Sequence, residues 1–518
     1  MTLWPSPDVT GRGYRPELVS PRRIIKGKTL LRTSLEIASV ALALLVAVIW
    51  WPATMTPTTA AAWQNTTYHA DAKAASSPGK LVSGTLTHVA KKGDSIGLVA
   101  RMYLGKTTYL TSAELGQAIR EANGNRKGDF LKAGEPIIIP GALAEPIVEK
   151  PVTVPRDFEV RAIYLTGAMA GSPRGHQILR RWRELGGNAV VFDVKDSDGI
   201  VNIPFDHPLA GERKHHAIPD LPKFTRYLHA MGMHAIARVA IFRDEHLVTT
   251  HPELAVHSRR SGPAWRENGK LVWTDPSQPK VQEYNIALAR KAAESGADEI
   301  QFDYVRFPAE GDQKDAAFFF QTEHPKWQRS DVITDFLKHA YGQLHPMGVL
   351  FSLDVFGVMA WQRPVDLSHT GQDIVGMAKY CDVLSPMIYP SHFFGMDGYA
   401  HPGDAPEHFI GTSMERFRLI TKGSGVVLRP WLQAFAWRTK SYSPQYILTQ
   451  ISASNQKGGV GFLFWNARND YGKPYAAMTQ VASNHQQFFR GDEVSATLKN
   501  VAAKPATQPL LKPAVANQ

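Results

Sequence analysis

From about residue 156 to residue 486 the sequence alternates between short β-branched or aromatic runs and longer amphipathic stretches. No other feature limits the fold as much. Strand-like runs fall at 160–167, 189–195, 234–242, 299–307, 350–356, 383–389, 427–435 and 460–466. Helical stretches lie between them, among them Asp220 to Met231, Val281 to Ser295, Val332 to Leu344, Ser413 to Thr421 and Ser443 to Gln456. Gly232, Gly296 and Gly458 follow helices as C-caps, where a left-handed residue is needed. Eight β–α pairs over 156–486 predict a (β/α)8 TIM barrel. An open doubly wound sheet is the alternative, but no Gly-rich phosphate loop follows the first strand.

The region before the barrel has a different character. Residues 1–33 form a basic leader, with Arg12, Arg15, Arg22, Arg23, Lys26, Lys28 and Arg32 against Asp8 and Glu17. Residues 34–52 hold an apolar run, Ile37 to Trp51, broken only by Ser39. That pattern predicts a transmembrane signal anchor with the N-terminus in the cytoplasm and the rest of the chain outside it. Cleavage as a signal peptide is the alternative, given the small residues Thr59-Ala60-Ala61-Ala62. Residues 53–84, rich in Ala, Thr, Ser and Pro, read as a flexible linker, and residues 493–518 as a disordered tail.

Residues 85–141 read as a small βααβ module. A strand runs into the turn Lys91-Lys92-Gly93-Asp94-Ser95, helices follow at Leu98 to Tyr103 and about Ser112 to Asn123, and Leu131-Lys132-Ala133-Gly134-Glu135-Pro136-Ile137-Ile138-Ile139-Pro140 closes with a second strand. These segments resemble the LysM domain. The resemblance implies binding of N-acetylglucosamine-containing polymers such as peptidoglycan.

Composition narrows the chemistry. The chain of 518 residues carries a net charge of +11, but the excess is concentrated in the leader, and no Lys/Arg-rich run follows it. Nucleic acid is therefore not expected as a partner. Cys381 is the only cysteine, so neither an intrachain disulfide nor a Cys-based zinc site can form. His215-His216, His246 and His251 lack metal-ligand spacing, and no GxSxG elbow is present. No metal and no cofactor are expected.

Alternation along the barrel strands isolates polar residues that would face the lumen. Gln301 and Asp303 do so in strand four, Asp193 and Lys195 in strand two, and Ser352 and Asp354 in strand five. Strand three contributes Arg238, strand six Ser385 and Tyr389, strand seven Gln433. Desolvated carboxylates need partners, and Lys195, Arg238 and Arg306 are the candidates. A structural ion-pair network is one reading. A site at the C-terminal face, where barrel enzymes keep their chemistry, is the other. Two carboxyl groups across a bond are what glycoside hydrolysis needs, so Asp303, Asp354 and Asp193 are the candidate catalytic residues. Lys195, Arg238, Gln301, Arg306, Tyr389, Gln433 and Trp465 are candidates for binding substrate. Trp265, Trp273, Trp361 and Trp437 also fall near strand ends, and the loop between 243 and 280 is a candidate lid.

The segment Gly296-Ala297-Asp298-Glu299-Ile300-Gln301-Phe302-Asp303-Tyr304-Val305-Arg306-Phe307-Pro308 resembles the strand-four signature of a bacterial family of candidate glycoside hydrolases with a TIM-barrel fold. Arg161-Ala162-Ile163-Tyr164-Leu165-Thr166, Phe192-Asp193-Val194-Lys195-Asp196, Leu384-Ser385-Pro386-Met387-Ile388-Tyr389-Pro390 and Gly461-Phe462-Leu463-Phe464-Trp465-Asn466 support the match, which spans roughly 158–486. By analogy with alpha-amylase-like barrels, the resemblance implies Asp303 as nucleophile and the strand-five acid, Asp354, as proton donor. The expectation is a membrane-anchored glycoside hydrolase of envelope polysaccharide, tethered by the LysM-like module. Two alternatives stay open: a polysaccharide-binding envelope protein with a degenerate barrel, and a barrel enzyme acting on another bond, such as a deacetylase.

Overall fold

The computed structural model describes residues 83–213, 215–262 and 264–481. The leader, the anchor, nearly all of the linker and the tail lie outside these residues. Among the described residues no helix is long and apolar enough to cross a membrane.

The first unit of structure is the βααβ module. Strand β1 (Ser83–Val89) pairs antiparallel with β2 (Pro136–Leu143), and two helices, Ile96–Tyr103 and Ser112–Ala122, pack against the pair. Ser95 caps the first helix through Leu98 N. Thr111 and Glu114 form a reciprocal capping box on the second. Ile96, Val99, Leu115, Ile119, Ile137 and Ile139 make a core of their own. The module is docked on the barrel by Lys223. Its Nζ, almost wholly buried, donates to the carbonyls of Leu104 (2.7 Å) and Tyr109 (3.1 Å).

Eight parallel strand positions then close into a ring. They are β3 (Val160–Leu165), β4 (Ala189–Lys195), β5 (His234–Ala240), β7 (Glu299–Asp303), β9 (Leu350–Phe356), β10 (Val383–Ile388), the split pair β11 (Val427–Leu428) and β12 (Trp431–Gln433), and β13 (Gly461–Trp465). Each pairs with its neighbour in parallel, and closure comes from β13 on β3 and β9 on β10. Strand seven is split at Arg429-Pro430 because proline has no N–H to give the ladder. Two two-residue strands outside the ring, β6 (His257–Ser258) and β8 (Ala316–Ala317), pair antiparallel and bind the 243–280 loop to the loop after strand four. Gly232, Gly296 and Gly458 take positive φ (66°, 92° and 97°) after their helices, as their positions predict.

Alternation sorts the side chains into two cores. Phe192, Val194, Val239, Ile300, Phe302, Leu353 and Val355 join the helices in the outer core. Phe158, Ala162, Tyr164, Val191, Ile236, Trp431 and Leu463 fill the lumen. The lumen is layered, as barrels of this type are. At its floor Arg429 bridges both oxygens of Glu299 (2.9 and 2.8 Å), and His234 bonds the same carboxylate at 3.1 Å. Burial works to raise the Glu299 pKa, but Arg429 and His234 overcome it and hold the group near about 2. The upper layer carries the acids.

Candidate active site

Asp193, Arg238, Asp303 and Asp354 come from strands two to five and meet at the carboxyl end of the lumen. Arg238 is the hub. Its Nη1 donates to Asp193 Oδ1 at 2.5 Å, and its Nη2 and Nε donate to Asp303 Oδ2 at 2.5 and 3.1 Å. Asp354 Oδ2 lies 4.0 Å from the same Nε. One nitrogen thus reaches both Asp303 and Asp354, so those oxygens are at most about 7 Å apart, below the upper limit of about 9.5 Å for a pair of hydrolytic carboxyls. Arg238 also lies over the rings of Tyr164 (5.7 Å) and Trp465 (5.3 Å), which stack on each other at 4.2 Å.

The environments of the three acids differ. Asp193 also accepts from Tyr164 Oη at 2.5 Å, and burial raises its pKa despite Arg238. Asp354 Oδ1 accepts from Trp431 Nε1 at 2.7 Å, while its Oδ2 is enclosed and has no hydrogen-bond partner. Burial first, and then the charge of Asp303, push Asp354 well above the usual carboxylate range, against the pull of Arg238 and Trp431. Asp303 is the most accessible of the three: its side chain keeps 9% exposure against 1% for each of the others.

The backbone at Asp303 is unusual. Tyr304 takes φ 54°, a left-handed conformation rare for a bulky residue, and its N–H donates to Asp303 Oδ1 at 2.6 Å. Strand four therefore ends at Asp303 instead of running on to 307 as the sequence pattern suggests. Such strain is characteristic of functional sites.

The predicted binding residues divide. Trp465 is half-buried at the mouth. Tyr389 lies close enough to Asp354 and Asp303 that, after burial, their charges are what raise its pKa well above normal. Arg306 sits at the rim over the rings of Phe356 (4.4 Å) and Trp273 (4.7 Å). Gln301 is fully buried one layer below the acids, 3.4 Å from Ser385 Oγ. Gln433 braces loops: it accepts from Ser391 N and donates to Phe435 O and Thr439 Oγ1. Of the other tryptophans, Trp265 and Trp273 are buried and Trp361 is half-buried, while Trp437 is exposed.

Lys195 is a correction. It does not face the lumen. The ladder between strands two and three slips at Val194, so Asp193 pairs with Arg238 and Lys195 with Val239. One extra residue reverses the face of everything after it. Lys195 Nζ is consequently buried in the outer layer, donating to Asp244 Oδ2 (2.8 Å) and Asn285 Oδ1 (2.7 Å).

Glu310, on the loop leaving strand four, is a further candidate that strand alternation does not reveal. It accepts from Asn268 Nδ2 at 2.9 Å, and burial together with the nearby Glu267 pushes it up to about 7. Arg306 lies within electrostatic range of Glu267, Asp303 and Glu310. Among the described residues no group of three His, Cys, Asp or Glu is arranged to hold a metal ion.

A closed parallel barrel with converging acids at its carboxyl mouth defines the class. The family follows from sequence: residues 162–471 match the family model described as "Putative glycosyl hydrolase domain", and the chain belongs to that family. Among solved structures it is similar to a hypothetical protein from Ruminiclostridium thermocellum (35% identity, covering 37% of this chain and 97% of that one, TM-score 0.33). It is also similar to the PgaB (BpsB) glycoside hydrolase domain of Bordetella bronchiseptica (13%, 64% and 99%, TM-score 0.49). A third is the PelA glycoside hydrolase domain of Pseudomonas aeruginosa (12%, 60% and 96%, TM-score 0.36). No curated protein matches the chain.

Proposed function

We propose that the barrel hydrolyses glycosidic bonds of a cell-wall or envelope polysaccharide, with Asp303 as the carboxylate that meets the sugar. The observation that carries this is the gathering of Asp193, Asp303 and Asp354 on one guanidinium at the strand ends, under a left-handed Tyr304. Asp303 holds its oxygens toward donors and serves as nucleophile or base. Asp354, buried and raised in pKa, and Asp193 set the charge and orientation of Asp303 through Arg238. That burial argues against Asp354 donating directly to a leaving oxygen. Glu310, on the open side of the same loop, suits the donor role because an acid poised near neutral pH both keeps and gives its proton. Trp465, backed by the buried Tyr164, supplies a stacking surface for a sugar face.

In the same reading the βααβ module is a LysM-like tether to glycan, peptidoglycan included, and the apolar run at 34–52 anchors the chain with the barrel outside the cytoplasm. A barrel that binds polysaccharide without turnover is the second reading, favoured by the prior occupation of Asp193 and Asp303 by Arg238. Incubating the protein with a panel of envelope polysaccharides and reading released sugars by mass spectrometry separates the two. Release by wild type and none by folded Asp303→Asn supports hydrolysis. Equal release by both, or binding with no release from any polymer, refutes it.

A further inference from the structure

A cavity of about 550 Å³ opens between the loops that follow strands six and seven. Its size is that of a small-molecule site. Phe394, His401, Asp404, Arg438 and Lys440 are among its lining residues. The loops approach closely because Gly403 has no side chain: a Cβ there would lie 2.3 Å from the Arg438 carbonyl oxygen.

Three observations point to a carboxylate ligand. First, the cations outnumber the acid, Arg438 and Lys440 against Asp404. Arg438 and Lys440 face the space, and neither pairs with a carboxylate among the described residues. The acid in the lining, Asp404, already accepts at Oδ1 from Ser441 N and Ser441 Oγ (2.9 and 2.8 Å). Second, the Arg438 guanidinium is braced in the corner between two perpendicular rings, its carbon 4.1 Å from Phe394 and 4.6 Å from Trp437, and guanidinium N–H groups suit a planar anion. Third, Arg438 takes φ 49°, a strained backbone for a residue with a Cβ.

A wall of rings connects this cavity to the acids. Tyr389, above Asp354, contacts His392 (5.5 Å) and Phe435 (5.7 Å), and His392 contacts Trp437 (4.8 Å). Burial, aided by Arg438, drops the His392 pKa to about 3, so the wall between the two sites carries no charge of its own. Trp437, which lies between the lining residues Ala436 and Arg438 in sequence and outside the lining itself, is 40% exposed and offers its indole to a sugar ring that extends from the cavity.

We propose that this cavity is a subsite for a carboxylate-bearing sugar of the polymer, with Arg438 and Lys440 taking the carboxylate and Trp437 the ring. The proposal rests on the glycan reading above, and its test is a binding measurement that needs no turnover. The full chain is titrated calorimetrically with trigalacturonate, with the N-acetylglucosaminyl-N-acetylmuramic acid disaccharide, and with neutral cellotriose. The double variant Arg438→Asn/Lys440→Ala is titrated alongside, asparagine being chosen because it tolerates a left-handed backbone. Lys440→Ala alone, at an exposed position, guards against misfolding of the double variant.

The expected result is tighter binding of an acidic saccharide than of cellotriose. Loss should be about tenfold or more in the double variant and smaller in Lys440→Ala, as for charge-assisted hydrogen bonds. Which acidic saccharide binds tells a uronic acid from a lactyl carboxylate. Absence of binding by both acidic probes, or affinity unchanged in the variants, overturns the proposal. Arg438-dependent binding in a protein that cleaves no polymer would leave the subsite standing and remove only the hydrolytic reading.

Discussion

Replacing Arg238 by Met removes the guanidinium that Asp193 and Asp303 share and fills part of the space with an apolar chain of similar length. Both carboxylates then stand buried with their shared cation gone, since Asp193 and Asp303 are 1% and 6% exposed as residues. Breaking a buried ion pair by deleting one partner costs about 3–5 kcal/mol. The variant can relieve part of that by protonating the acids. Their folded pKa values would then lie above the unfolded ones, so the penalty is fully felt at high pH and regained as pH falls through the folded values. Between pH 7.5 and 5 each proton taken up returns up to about 3 kcal/mol. Urea denaturation of wild type and Arg238→Met at the two pH values tests this. We expect a loss of about 4 kcal/mol at pH 7.5, shrinking by about half or more at pH 5. In an Asp193→Asn/Asp303→Asn background the same change should cost clearly less, because the charges it strands are gone. A variant within about 1 kcal/mol of wild type at pH 7.5, or a deficit that does not shrink at pH 5, would refute the view that Arg238 holds charged acids together.

Other perturbations read other parts of the account. Lys195→Met strands Asp244 in the outer layer and should cost about 3–5 kcal/mol by the same denaturation assay, with hydrolytic activity of the folded protein retained. Activity lost with stability intact would return Lys195 to the site. Glu310→Gln should lower kcat/KM and abolish the alkaline limb: the wild-type acid, raised to about 7, loses its proton and its donor role as pH rises through that value. A limb that persists in the variant assigns it to another group. His229 bonds Glu149 (2.8 Å) and Asp298 (3.0 Å), which overcome burial and lift it to about 9. Its stabilisation, up to about 3 kcal/mol, is fully present below its unfolded pKa of about 6.5 and disappears as pH rises through about 9. The stability gap between wild type and His229→Gln should close over that window, and a gap independent of pH removes His229 as a charged strut.

The barrel was legible because its signal is redundant. Every strand repeats the same apolar set on the helix side, so Phe192, Phe302 and Leu353 fix the parity that sends Asp193, Asp303 and Asp354 inward. The errors come from local breaks in that period. A bulge at Val194 is invisible to alternation, and it moved Lys195 to the outer layer. Alternation also says nothing of depth, which is why Gln301 read as a ligand although it sits below the acids. Glu310 escaped because its character arises from Glu267 and Asn268, on a loop that sequence separation keeps apart and folding brings near. The one available signal was an acid shortly after the strand-four signature. The βααβ order of the module was legible from its turn residues and caps.

The claim at the centre is that Asp303 touches the bond being cut. It is tested most directly by a crystal structure of Asp303→Asn with an oligosaccharide of the cleaved polymer soaked across the mouth. An anomeric carbon is expected about 3–3.5 Å from the residue 303 side chain, or one water away, with a sugar face on Trp465. A glycan lying wholly elsewhere, with the residue 303 side chain still sealed against Arg238, would contradict it.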